Sequence, residues 1–173
     1  MIKAKNSKIL FASSSLDFLL NYKVGISKNF HKDGNHVTWN VPVENIDSIS
    51  KEKIPKGIGA NLWLSPRKGI FVFIKMIFSY SKFIINNNSK ITLISHTVYS
   101  NLASIIACYL FNKKNLKLII FVSGFGPARI RNSLRIRLLG RIYLIFLRLI
   151  SNKKNILVVT LNFKDKNLVQ DFS

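Results

Sequence analysis

The sequence predicts an α/β domain, a doubly wound and mostly parallel sheet with helices on both faces. Two observations carry this. Short apolar runs rich in β-branched residues recur along the chain, and stretches of helical length separate them. Parallel strands need crossover connections, and helices on both faces bury the strands from either side, so this alternation points to a parallel sheet.

Lys8–Ser13 (KILFAS) is a short apolar run ending in small residues, as a buried parallel strand and its turn do. Leu16 to about Lys32 reads as one helix. Ser14 or Ser15 can cap its first N–H groups, and Gly34 can take the left-handed conformation near its end. His36–Val41 (HVTWNV) is a second strand. From Pro42 to Pro66 the pattern dissolves: three prolines with Gly57 and Gly59 argue against a long helix and leave a loop with one short strand near Asn61–Leu64. Lys68–Ile85 is a helix, Lys90–Ser95 a strand, and Tyr99–Phe111 a mostly apolar helix. Leu116–Val122 is the most continuous apolar strand and is expected at the centre of the sheet. Leu134–Ile150 is a long helix, Asn155–Leu161 the last strand, and a short helix begins near Lys164.

The 173 residues suit a single domain with an irregular segment at about 42–66. Hydrophobic residues reach 48% and the mean hydropathy is +0.20, so a spanning helix has to be considered. Ile91 to Asn112 is long enough and uncharged, but Ser95, His96, Thr97, Ser100 and Asn101 break it. Lys75 and Lys82 interrupt Gly69–Ile85. Both stretches read as buried or interfacial.

The net charge is +20, from 27 Lys and Arg against 7 Asp and Glu. Such a balance favours phosphate, in nucleic acid or at an acidic membrane surface. The joint excess of Lys, Asn and Ile is also what AT-rich coding produces, and much of the lysine is assigned to that. Cys108 is the lone cysteine, which excludes an internal disulfide and points to a reducing compartment. The N-terminal run is basic and then apolar, but Asp17 interrupts it and no small-residue cleavage site follows. A cytoplasmic location is expected.

In open α/β sheets ligands bind at the carboxyl ends of the strands. Those ends read Ser13-Ser14-Ser15, Ser95-His96-Thr97, Ser123-Gly124-Phe125-Gly126, and Leu161-Asn162-Phe163-Lys164-Asp165. Gly124 and Gly126 could aim N–H groups at an anion or simply form a tight loop before Pro127, and the loop is the better-founded choice. No dinucleotide fingerprint, no P-loop and no metal-ligand spacing is present. His31 and His36 flank a turn and are expected in solvent; for His96 a structural role is the default. Arg137, Arg141 and Arg148 fall at roughly 0°, 40° and 20° around a helix, one narrow stripe on an otherwise apolar element. That pattern suits a solvated margin and a helix lying on an anionic bilayer equally.

Four pieces, in order, resemble the N-terminal, acceptor-side domain of GT-B glycosyltransferases, specifically the family-four-like retaining enzymes of bacterial surface polysaccharide synthesis. They are Ile26–Trp39 (ISKNFHKDGNHVTW), KITLISHTVYSNLASIIACYL from Lys90, the basic segment from Leu116 to Ile150, and ILVVTLNFKDKNLV from Ile156. The resemblance covers almost the whole chain. It departs from the family where Ser13-Ser14-Ser15 stands for a Gly-Gly turn and Ser123 for a histidine. The chain also ends at Ser173, where the family continues into its donor-binding domain.

The resemblance implies a Rossmann-like half of a GT-B fold. Its reaction would be transfer of a sugar from a nucleotide-sugar to a glycan acceptor, lipid-linked by expectation, with retention at the anomeric carbon. His96 would lie nearest the transferred sugar as the catalytic residue. Ser13, Ser14, Ser15, Thr97, Ser123, Gly124, Phe125, Gly126, Asn162 and Asp165 would line the substrate cleft, and Arg137, Arg141 and Arg148 would meet the membrane. No cofactor is expected, because the nucleotide-sugar is a substrate held mainly by the other domain. The expected partners are a separate donor-domain chain, the glycan acceptor and the inner face of an anionic membrane. Without a donor domain the chain is expected to be inactive. The alternative is a non-catalytic membrane-surface binding domain derived from such an enzyme. Nucleic acid is disfavoured, since the aromatics sit in core-like runs and no recognised motif accompanies the charge.

Overall fold

A computed structural model describes residues 7–43, 54–65, 69–111, 113–122, 134–151, 153–161 and Lys166. The elements run β1 (Lys8–Ala12), α1 (Leu16–Tyr22), α2 (Val24–Lys32), β2 (His36–Val43), β3 (Gly59–Leu64), α3 (Ile70–Ile85), β4 (Ile91–His96), α4 (Val98–Leu110), β5 (Leu116–Val122), α5 (Leu134–Ser151) and β6 (Ile156–Thr160). The six strands form one sheet in the order β3-β2-β1-β4-β5-β6, every pair parallel. The fold is a doubly wound, Rossmann-like α/β sheet.

Alternation along each strand divides the core in two. Leu10, Leu93, Leu118 and Ile120 face α3, α4 and α5, which add Met76, Tyr80, Ala103 and Leu147. Ile9, Phe11, Val37, Trp39 and Ile94 face the other way, towards Leu16 and Leu19 of α1. Trp39 is fully buried, and its Nε1–H donates to Ser27 Oγ of α2 at 2.9 Å.

Several boundaries differ from those the sequence suggests. The helix expected over Leu16–Lys32 is two helices, because Lys23 leaves the helical region at φ −121° and ψ −3°. Val24 and Gly25, both poor helix formers, follow the break. β2 runs on to Val43 through Pro42. Pro42 is tolerated because β1 ends opposite Asn40, so the side towards β1 carries no ladder partner beyond that point. Asn40 O accepts from Ser13 N and Val43 O from Ser65 N, which places the missing Pro42 N–H on the vacated side. β5 is second from the edge, and β1 and β4 hold the centre. Its outward-alternating residues explain the difference: Lys117 is exposed and Ile119 and Phe121 are half-buried, so an apolar run did not mean burial on both faces.

Gly34 takes φ +83° after α2, as its position suggested. A Cβ there would meet nothing within 4 Å, so Gly34→Ala tests the backbone alone. The expected loss is about 1–2 kcal/mol, read as a fall in Tm of roughly 2–4 °C per kcal/mol. His31 and His36 are exposed, and His31 packs its ring where a Cβ on Gly57 would stand.

Candidate functional site

The direction of the strand order reverses between β1 and β4, and in such sheets the crevice at that point is where ligands bind. The residues at its rim are those that follow β1 and end β4. Ser13 is buried, and its Oγ accepts from Ser15 N at 3.2 Å. Ser15 is the N-cap of α1, its Oγ accepting from Phe18 N at 3.4 Å. Ser14 reaches across the crevice, its Oγ 2.8 Å from Thr97 Oγ1. The three serines therefore have separate structural tasks: a turn, a tie across the switch point and a helix cap. A polar ligand here would compete with the Ser14–Thr97 tie first.

Thr97 has φ +73° and ψ 148°, the one non-glycine residue with positive φ among those described. A β-branched residue in that region is held by its surroundings against a backbone cost of about 1–3 kcal/mol. Two contacts hold it: the hydroxyl bond to Ser14, and its carbonyl, which accepts from Asn101 N at 2.8 Å. Asn101 also donates from Nδ2 to Phe121 O at 3.0 Å and to Tyr143 OH at 2.6 Å. One buried amide thus fixes the start of α4 to the end of β5 and to α5. Beneath it, Ser100 Oγ lies 3.1 Å from Ser95 Oγ and 3.0 Å from Tyr80 OH. Burial holds the Tyr80 phenol well above its ordinary value, outweighing the Ser100 hydrogen bond.

His96 is the last residue of β4 rather than the residue after it, paired in register with Phe121. Its ring turns to the α1 side, 1% exposed, among Phe121 (ring centroids 4.7 Å apart), Phe18 (5.3 Å) and Phe11 (6.4 Å). Neither ring nitrogen finds a hydrogen-bond partner among the described residues. Burial first, and the Lys23 charge second, push its pKa down to about 3, so the imidazole is neutral at physiological pH. Lys23 lies over the same cluster, its Nζ 4.6 Å from the Phe121 centroid and 5.8 Å from that of Phe18. Desolvation lowers the Lys23 pKa as well.

Phe11, Phe18, Phe121 and Lys23 are the members of this cluster that sequence reading missed. The only signal was indirect: Lys23 sits at the helix break, and a continuous helix over that range concealed it. Of the other expected cleft residues, Ser123, Gly124, Phe125, Gly126, Asn162 and Asp165 lie outside the described residues, as does all of the short helix expected near Lys164 except the helical Lys166. Arg141 is exposed and Arg148 is half-buried, so the expected stripe is not uniformly at the surface. The Arg137 side chain lies outside the described set.

Among the described residues no group of three His, Cys, Asp or Glu side chains is gathered to hold a metal, and no helix is long and apolar enough to cross a membrane. No protein-family model matches the chain, and no curated protein matches its sequence.

Proposed function

We propose that the chain forms the acceptor-side wall of a glycosyltransferase cleft, with a donor-binding domain facing the carboxyl edge of its sheet. The observation that carries this is the pairing of a buried His96, without a hydrogen-bond partner among the described residues, with the Ser14–Thr97 tie and the strained Thr97 backbone at the topological switch point. An unsatisfied buried polar group costs about 1–3 kcal/mol. A substrate hydroxyl that completed its hydrogen bonding would recover part of that cost. A neutral imidazole can donate or accept such a bond, and with its pKa lowered it is a weak base, which suits positioning of an acceptor hydroxyl more than abstraction of its proton. Stabilisation of the leaving diphosphate would fall to the facing domain, as the sequence resemblance implies.

The test is amide-resolved NMR of the purified chain, titrated separately with glycan acceptors and with nucleotide-sugars. Acceptor glycans should move the signals of Ser13–Ser15, His96 and Thr97, while nucleotide-sugars alone should leave them in place. Shifts confined to other parts of the chain, or none with any glycan, would sink the reading.

A second reading, membrane-surface attachment at the inner face of the cell membrane, is favoured by the helix layer of α3, α4 and α5. These helices contain no carboxylate. Phe71 is 78% and Phe78 70% exposed, with Leu138, Ile142 and Ile145 also outward. Lys75, Lys82 and Arg141 stand exposed among them. Apolar and cationic side chains on one surface fit an anionic bilayer. Flotation with phosphatidylglycerol vesicles should carry the chain up, phosphatidylcholine should not, and salt should weaken the attachment, since screening acts within about 10 Å at roughly 0.1 M. Attachment indifferent to lipid charge and salt would refute it.

A further inference from the structure

Helices α3 and α4 pack closely, whereas α4 and α5 touch sparingly and leave a gap between them. Two adjoining cavities of about 270 and 280 Å³ occupy that gap, sharing Ile105, Tyr109, Ile150 and Lys153. The outer cavity is walled by Ile106, Phe146 and Leu149, and the inner one reaches Cys108 and the start of β6 at Ile156. The outer part is mostly apolar, the inner part is mixed, with Lys153 and Asn155 beside Ile105, Cys108 and Ile156, and among the described residues no carboxylate lines either part. At the mouth, Lys153 is exposed and holds its Nζ 4.3 Å from the centroid of the exposed Tyr109 ring.

We propose that this groove binds one alkyl chain of an anionic amphiphile, with the chain between α4 and α5 and the head group on Lys153. At about 30 Å³ per water-sized group, each cavity holds roughly nine such groups, the size of a medium-length alkyl chain. An apolar slot that ends at a cation selects a chain carrying a negative head over a neutral or cationic one. The groove opens at the amino edge of the sheet, where β6 begins, away from the crevice at the carboxyl edge. The proposal therefore stands apart from the transferase reading. Free alkyl phosphates and acyl chains drawn from a bilayer share the required chemistry.

The test is calorimetric titration of the full chain with decyl phosphate below its micellar concentration, beside decyltrimethylammonium and inorganic phosphate. Decyl phosphate should bind at least tenfold more tightly than either control. Ile106→Trp, which fills the outer cavity from a half-buried position, should weaken decyl phosphate tenfold or more. Lys153→Glu, on an exposed side chain, should remove the preference for the anionic head without lowering Tm. A vesicle arm separates the two sources: if Ile106→Trp lowers attachment to phosphatidylglycerol vesicles as well, the chain is drawn from lipid; if attachment is unchanged, a free amphiphile is the ligand. Absence of decyl phosphate binding, equal binding of the cationic amphiphile, or indifference to both substitutions would overturn the proposal.

Discussion

Acidification from pH 7 to 5 is expected to remove about 2 kcal/mol of stability through His96 alone, before most carboxylates titrate. The folded ring has its pKa pushed down to about 3 by burial and by the Lys23 charge. The unfolded ring titrates near 6.5. Above about pH 6.5 the ring is neutral in both states and contributes no pH dependence. Below it the unfolded chain takes up a proton that the folded chain refuses, so stability falls as the pH falls, by about 1.4 kcal/mol per unit down to the folded pKa. His96→Leu should flatten this slope between pH 7 and 5. It should also raise stability at pH 7 by about 1–2 kcal/mol, because two ring nitrogens without a partner among the described residues disappear from the core. Urea unfolding of both proteins across that range checks both statements. Equal slopes would mean that the ring is hydrated or hydrogen-bonded in solution. A group that weakens the fold and is nevertheless present is a candidate for function, which links this measurement to the proposed site.

Trp39→Ala is expected to cost about 3–5 kcal/mol, the range for removing a large aromatic from a core that cannot collapse onto the space. Trp39 is fully buried in the layer between the sheet and α1 and α2, beside Val37, Val41 and Phe11. Its Nε1–H supplies the bond to the buried Ser27 Oγ, so truncation also strands a hydroxyl under α2. Against a whole-domain stability of about 5–15 kcal/mol this is a large share. Trp39→Phe keeps most of the packing and loses only the hydrogen bond and some volume, and it should cost distinctly less. Chemical denaturation of the three proteins tests this; a loss below about 2 kcal/mol for the alanine variant would contradict the packing described.

The sequence by itself determined the local elements. Short apolar runs and helix-length spacers are properties of neighbouring residues, so every strand came out within two residues at either end, and the parallel α/β class followed. A serine cap, at Ser14 or Ser15, and Gly34 at positive φ were legible for the same reason, since each acts on its own turn; the cap is Ser15. The composition of the strand ends also showed where a crevice would collect polar groups.

Only the tertiary structure decided which of those groups meet. Strand order depends on pairings between distant segments, and the apolar content of β5 could not reveal that β1 and β4 take the centre. The Ser14–Thr97 tie joins residues 83 positions apart. The character of His96 depends on Phe18, Phe121 and Lys23 arriving from α1, β5 and a helix break. Burial is a sum over such distant neighbours. A chain read in order shows that His96 follows apolar residues, whereas its desolvation, its lost partners and its lowered pKa exist only once the sheet has closed around it.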